Sequence, residues 1–552
     1  MAKNRLKVVA LGGLGEIGRN MMVLEYGEDI MLIDAGLMFP EDDMLGIDLV
    51  IPDMTYLIER KEKIRGVVIT HGHEDHTGGL PYLLRALPMP VYATRLTQGL
   101  ISVKLKEHKL LDEASLNVIQ PGDEVKLGIF RVEFFPVSHS IPDGVGIVVH
   151  TPLGTIIHSG DFKLDHTPVD GKLTDFSALA RLGAQGVLLL MSDSTRADTP
   201  GYTLSESVIG LALDRVIGEA EGRVIVATFA SLISRVQQVI DAAIKHERKV
   251  VVMGRSMVNN VRMATEMGYL RVPPGLMVRP EDAVHLPSNQ LAIIVTGSQG
   301  EPTSILTRLA NGDDKYLHIR PHDTVLISAS PIPGNEQLVN RTIDNLFKKG
   351  ANVIYSGIAN VHVSGHGSQE ELKMMINLVR PQYFVPIHGE YRHLTMHARL
   401  AQSLNIPEQN TFVLENGQVL EIGASSARVV TRIPAGYVYV DGLGVGDIGH
   451  VVLRDRRLLA QDGILVVVIA VDNQTGKVVT RPDIVSRGFV FMRESEELIE
   501  EARDLVIANL DHGSDKLAEW GFINNKIKDT LSRFFYERTK RRPMILPVVV
   551  EV

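Results

Sequence analysis

Apolar positions in the first third of the chain come in short bursts separated by glycine-rich turns. Residues 7–11, 21–26, 30–33, 67–70, 130–136, 147–150 and 155–158 read as strands. The runs 145–150 and 155–158 flank a Pro-Leu-Gly turn and predict an antiparallel hairpin. An amphipathic, helix-like period follows over about 77–87. From about Leu204 the rhythm changes, and apolar strands at 223–228, 249–253, 291–296, 324–328 and 352–355 alternate with helical segments. Continuously apolar strands at that spacing predict a parallel sheet covered on both faces. Beyond it, 383–387 and 412–414 resume the strand-rich style of the beginning.

The pattern therefore predicts an α/β chain in which one domain is inserted into another. Residues 1–204 and 358–448 form the first domain, and 205–357 the insertion. Residues 449–463, with Arg454, Arg456 and Arg457, read as a linker. Residues 464–552 read as a small α/β domain with a hairpin turning at 473–476 and a helix around 496–510.

Composition narrows the chemistry. The chain has 552 residues, 45% hydrophobic and 22% charged, enough to bury large cores. It has no cysteine, which removes disulfides, thiolate zinc sites, iron–sulfur clusters and cysteine nucleophiles together. Any metal must be held by carboxylates and by some of the 19 histidines. The first apolar run is too short for a signal peptide, and the longest, 464–471, is far below a membrane span. A cytoplasmic protein with no membrane partner is the expectation. The net charge of −9 gives no global sign of a nucleic-acid partner, so RNA would need a local basic groove.

The strongest chemical signal is His71-Gly72-His73-Glu74-Asp75-His76, directly after an apolar strand. His71 and His73 can alternate around one metal while Asp75 and His76 turn towards a second. Further ligands stand at strand ends: His139 after 134–137, Asp161 after 155–159, and His388 after 383–387. Asp34, after 30–33, could simply close a turn before Ala35-Gly36. Gly13-x-Gly15-x-x-Gly18 follows a strand, but 21–26 continues as another strand, so the dinucleotide fingerprint lacks its helix.

His-x-His-x-Asp-His followed by strand-terminal His, Asp and His resembles the metallo-β-lactamase superfamily, which implies an αββα sandwich. The inserted domain, Val361-His362-Val363-Ser364-Gly365-His366-Gly367 and Pro386-Ile387-His388-Gly389-Glu390 resemble its β-CASP nuclease branch. Within that branch the chain is similar to the bacterial ribonuclease J family over nearly its full length, including segments 12–20 and 40–53.

The resemblance implies one metal on His71, His73, His139 and Asp161, and a second on Asp75, His76, Asp161 and His388. Asp34 would orient a ligand histidine. Nitrogen and oxygen donors without thiolate suit two Zn2+, with Mn2+ or Mg2+ as alternatives. Such a pair supplies a hydroxide for in-line attack on phosphorus, leaving a 5′ phosphate and a 3′ hydroxyl. Asp75, Asp193 and His366 are the implied catalytic residues, His366 as general acid on the leaving oxygen.

The loop His362, Val363, Ser364, Gly365, His366 reads as an anion site. Ser231 and Ser234, at a strand-to-helix junction, are a second phosphate candidate or simple helix caps. The resemblance extends to a structural Ca2+ near Gly46, Asp48 and Asp441, where a solvated turn is the plainer reading. Residues 516–542 carry eight Lys or Arg against three Asp or Glu, a surface that could steer RNA or simply be solvated.

The implied activity is 5′→3′ exonuclease action on single-stranded RNA with 5′-monophosphate ends, plus endonuclease action, in rRNA processing and mRNA decay. The implied assembly is a homodimer or homotetramer, with partners in an RNA-degradation complex. Two rivals remain: a thioester or lactone hydrolase of the same fold, and a non-catalytic RNA-binding scaffold. The large insertion argues against the first, and the complete ligand set against the second.

Overall fold

The short strand-forming bursts of the sequence become two facing sheets. The computed structural model describes residues 5–301, 303–332, 335–472, 478–490, 495–511 and 520–552. They fall into two compact units, one of residues 1–39 and 49–438, the other of 40–48 and 439–552.

In the larger unit an eight-stranded sheet and a six-stranded sheet share a core that includes Val8, Leu24, Ile33, Phe134, Ile147, Met191 and Ile387. The outer side of the six-stranded sheet is covered by Leu179, Leu372, Met375 and Ala401 from helices Phe176–Gln185, Gln369–Val379 and Tyr391–Ser403. Val9, Val23 and Leu32, alternating with the shared core in the eight-stranded sheet, are fully buried too. The arrangement is the αββα sandwich expected for two sheets that each bury both faces.

The return of the chain completes both sheets. Strand Gln418–Ile422 pairs antiparallel with Leu6–Gly12, and Pro381–Ile387 pairs parallel with Val187–Asp193. Between them sits the insertion, a five-stranded sheet in which every recorded pairing is parallel. Its two faces carry separate cores, one with Val224, Val236 and Met257, the other with Ile225, Leu309 and Val339.

Three details differ from the sequence reading. The helix expected over 77–87 is split into Glu74–Thr77 and Leu80–Ala86. A Cβ on Gly79 would lie 2.5 Å from the Gly36 carbonyl oxygen, so glycine lets this break pack against backbone. Residues 412–414 form no strand, and the strand of that region is 418–422, which pairs with the first. Residues 449–463, expected as a linker, are mostly helix, His450–Asp462, with Leu453 buried. The hairpin turn at 473–476 lies outside the described residues.

In the smaller unit, strands Asp483–Arg487, Ile464–Val471 and Met544–Glu551 form one sheet. Alternate residues Leu465, Val467, Ile469 and Val471 pack against Ile499, Val506, Leu531 and Phe535. Among the described residues no helix is long and apolar enough to cross a membrane.

Candidate metal centre

His71 lies just past strand Ile64–Val68, with His73 at the N-terminus of helix Glu74–Thr77 and Asp75 and His76 inside it, and the other ligand-type side chains stand at or just past strand ends. His139 follows Phe130–Pro136, Asp161 follows Gly154–His158, Asp193 ends Val187–Asp193, and His388 follows Pro381–Ile387. Asp34 and His388 take left-handed backbone conformations, φ 64° and 53°, which turn their side chains back into the centre.

Two donor sets result. His71 Nε2 and His139 Nε2 each lie 3.1 Å from His73 Nδ1. In the second set, His76 Nε2 is 3.1 Å and His388 Nε2 is 3.4 Å from Asp161 Oδ2. The same two nitrogens are 3.4 Å and 3.2 Å from Asp75 Oδ2. Asp161 Oδ2 also faces the first set, 3.6 Å from His71 Nε2 and 4.0 Å from His139 Nε2. Asp161 thus stands between the two sets.

The outward nitrogens decide which tautomer each ring adopts. His76 Nδ1 donates to Asp34 Oδ2 at 2.7 Å, and His139 Nδ1 donates to the Gly365 carbonyl at 2.8 Å. Thr70 Oγ1 donates to Asp34 Oδ2 at 2.9 Å, which leaves it to accept from His71 Nδ1 at 3.0 Å. Thr195 Oγ1 donates to Asp193 Oδ1 at 2.8 Å and accepts from His388 Nδ1 at 2.6 Å. With these protons held outwards, four Nε2 lone pairs converge inwards, as metal ligation requires. Asp34 serves two histidines at once and is no plain turn residue.

The charges agree with that arrangement. Burial pulls His71 and His139 well below the usual histidine range, and His73 to about 4, so the first set is neutral. Burial also acts on His76 and His388, but Asp161 and neighbouring carboxylates outweigh it and raise both well above 6.5. Burial alone would raise Asp161, yet His388, His76 and His71 hold it well below the carboxylate range. The first set therefore offers neutral donors, and the second offers carboxylates plus two imidazoles that become neutral donors once a cation displaces their extra protons. Zinc, manganese and magnesium accept donors of these types, and the residues fit a cation at each.

Beside the second set, His366 Nδ1 donates to Asp193 Oδ2 at 2.7 Å. The rings of His366 and His388 are stacked with centroids 5.2 Å apart. His366 sits in the predicted anion loop, whose shape depends on one glycine. A Cβ on Gly365 would lie 2.5 Å from the His139 ring, so only glycine lets this loop rest on the ligand. Ser364 Oγ accepts from the His366 amide at 3.1 Å, and Val363 is buried in the insertion's core. His362 Nδ1 is buried without a hydrogen-bond partner. Burial, with Arg235 and Lys163 nearby, lowers this histidine to about 3.

Ser231 and Ser234 flank the start of helix Ile233–Lys245, whose cap residue is Leu232, so neither serine caps it through its side chain. Ser234 lines a cavity together with Ser138, His139, Asp165 and Glu206, whereas Ser231 does not reach it.

Gly46, Asp48 and Asp441 lie together in the smaller unit, but the expected calcium does not fit them. Arg456 Nη2 donates to Asp441 Oδ2 at 2.5 Å and its Nη1 to the Leu45 carbonyl at 3.0 Å. Asp48 Oδ2 accepts from the Gly442 amide at 2.7 Å. A guanidinium already supplies the positive charge there, and these residues form no metal-holding cluster among the described ones.

Sequence reading missed Thr70, Thr195, Arg235 and Glu371. Glu371 accepts from the Leu164, Thr203 and Ser368 amides at 2.7–2.8 Å, pinning the segment after His366. Only the Ser368-x-x-Glu371 capping box gave a signal for any of them.

Four family descriptions cover most of the chain. Residues 14–200 match the metallo-beta-lactamase superfamily and 221–346 the ribonuclease J beta-CASP domain. Residues 351–412 match the Zn-dependent metallo-hydrolase RNA specificity domain, and 451–552 the ribonuclease J C-terminal domain. Ribonuclease J 1 of Streptococcus pyogenes is 46% identical, covering 99% of this chain and 98% of its own. The chain belongs to the ribonuclease J family. Ribonuclease J2 of Bacillus subtilis is 44% identical, covering 99% of both chains. Ribonuclease J of Thermus thermophilus is 47% identical, covering all of this chain and 96% of its own. Among solved structures, a protein of unknown function from Enterococcus faecalis V583 shares the fold, with TM-score 0.53 and 17% identity. That similarity covers 76% of this chain and all of the other. The family supplies the superfamily, the inserted β-CASP domain and the C-terminal domain that the sequence implied.

Proposed function

We propose that this chain is a two-metal ribonuclease that hydrolyses single-stranded RNA. It acts 5′→3′ from 5′-monophosphate ends and also cuts internally, serving RNA maturation and mRNA decay in the cytoplasm. The observation that carries this reading is the pair of donor sets meeting at Asp161, with His366–Asp193 beside them.

His71, His73, His139 and Asp161 would hold one cation, and Asp75, His76, Asp161 and His388 the other, zinc being favoured with manganese or magnesium as alternatives. When bound, such a pair activates water and neutralises the scissile phosphate. Asp193, which burial alone would raise but His366 and His388 hold low, stays ionised and fixes the His366 ring. His366 Nε2 is then the proton donor to the leaving 3′ oxygen. Asp75, more exposed than Asp161 or Asp193, faces the side from which substrate comes. The His362–His366 loop and Ser234 would grip the 5′ phosphate, and Ser231 would border the same groove.

Self-association is part of the proposal. In the smaller unit the strand Met544–Glu551 exposes Leu546, Val548 and Val550 on the sheet face opposite the helices. An apolar stripe of this kind fits a second copy of the chain as homodimer or homotetramer. Membership of an RNA-degradation complex would add further partners.

The test is cleavage of one RNA carrying a 5′-monophosphate, a 5′-triphosphate or a 5′-hydroxyl. Faster degradation of the monophosphate form supports the reading. Equal rates on all three would remove the 5′-end grip.

A further inference from the structure

The insertion is joined to the sandwich by two crossings of the chain, one outgoing near 203–206 and one returning near 358–362. A single buried guanidinium touches both. Arg235, 2% exposed, lies in the first turn of helix Ile233–Lys245. Its Nη2 donates to Glu206 Oε2 at 2.5 Å on the outgoing crossing, and its Nη1 donates to the Val361 carbonyl at 3.2 Å on the returning one. Its Nε donates to Gln238 Oε1 at 2.9 Å, and Nη1 also donates to Ser328 Oγ. Ser328 Oγ in turn donates to the same Val361 carbonyl at 2.6 Å.

Glu206 is tied equally well from the other side. Its amide donates to Asp165 Oδ2 at 3.0 Å, and its carbonyl accepts from Gln238 Nε2 at 3.0 Å. Lys163, also buried, lies 3.7 Å from Glu206 Oε1 and donates to the Leu204 carbonyl at 3.1 Å. Lys163 is two residues past Asp161, and its amide donates to the Ser138 carbonyl, next to His139. The chain of contacts therefore runs from the strand ends of the metal centre, through Lys163, Glu206 and Arg235, to the residue before His362.

A buried cation and carboxylate of this kind contribute little net stability, since desolvation offsets their attraction. Their effect lies in geometry. Five donors in a rigid fork fix two chain segments against one helix, which a lysine ammonium cannot do.

We propose that Arg235, paired with Glu206, is a positioning residue that sets the His362–Ser364 start of the loop against the insertion and so governs grip on the RNA 5′ end, while the end of the loop that holds His139 through Gly365 is pinned separately by Glu371. This rests on the ribonuclease reading above.

The experiment compares wild type, Arg235→Gln, Arg235→Lys and Glu206→Gln as full-length, zinc-loaded protein. Two substrates are used: 5′-monophosphate against 5′-hydroxyl RNA, and bis(p-nitrophenyl) phosphate, which needs the metal centre but no 5′-end grip. Arg235→Gln and Glu206→Gln should lose about tenfold to a hundredfold in kcat/KM on 5′-monophosphate RNA, as misplaced binding loops do. They should lose the monophosphate preference while hydrolysing the small diester within about twofold of wild type. Arg235→Lys should restore only part of the preference. A parallel fall on both substrates would reduce the pair to a general structural role and overturn the proposal. An undiminished monophosphate preference in Arg235→Gln would overturn it as well. If wild type itself shows no preference, it is the ribonuclease 5′-end reading that fails.

Discussion

Thr195 Oγ1 lies 2.6 Å from His388 Nδ1, and the same hydroxyl donates to Asp193 Oδ1 at 2.8 Å. One threonine thus links a ligand of the second donor set to the carboxylate that orients His366. Neither neighbour can be displaced without the other feeling it.

Thr195→Val keeps the shape but leaves the buried His388 N–H only the longer contact to Asp193 Oδ1, 3.5 Å away, at a cost of about 1–3 kcal/mol. Metal affinity at the second site should fall about 10- to 100-fold. Thr195→Ser should recover most of it. Competition with a chromogenic chelator reads this directly, and unchanged affinity in the valine variant would refute the link.

His366→Ala removes the proposed proton donor while leaving all seven proposed ligands in the sequence. The rate of RNA cleavage should fall by about 10²- to 10⁴-fold. Metal content, measured by elemental analysis, should stay at the wild-type level. A loss of metal in step with activity would make His366 part of the metal site rather than its acid.

The two sites should differ in their response to pH. His71, His73 and His139 lie below the usual histidine range, so each is a neutral imidazole near neutrality with no extra proton to release on binding. His76 and His388 lie well above 6.5, so the metal-free second site holds protons that a cation must displace. Affinity there should rise with pH through the neutral range and weaken from about pH 8 to about pH 6. Calorimetry in buffers of different ionisation enthalpy should find about two protons released by the second metal and none by the first. Equal release at both sites would contradict the assignment.

Much of this centre was readable from the sequence because its ligands stand where strands end. His71, His73, Asp75 and His76 crowd one loop, and His139, Asp161 and His388 each follow an apolar run, so local pattern and chemistry coincide. The five strands of the insertion were legible for the same reason. Thr70, Thr195 and Arg235 were not, since a threonine or arginine carries no ligand signature; Thr70 acquires its role from the neighbouring His71 together with Asp34, and Thr195 and Arg235 from partners distant in sequence. Arg235 meets Val361 across 126 positions, and Thr195 meets His388 across 193. The calcium expectation rested on pattern alone: two aspartates and a glycine matched it, and the guanidinium of Arg456, from a stretch read as a linker, sits among them. Residues 449–463, read as a linker, fold as the helix His450–Asp462, whose Arg454 and Arg457 stay exposed while Leu453 is buried.

The claim that two cations meet at Asp161 to cleave RNA is tested most directly by Asp161→Asn. Metal content and cleavage of 5′-monophosphate RNA should be measured together, with wild type stripped by chelator and reconstituted with zinc as reference. The account predicts about two metals per wild-type chain and activity that vanishes on stripping and returns with zinc. In the variant it predicts loss of metal from both sites and no detectable cleavage. Full cleavage by the stripped enzyme, or by Asp161→Asn with both metals retained, would contradict it.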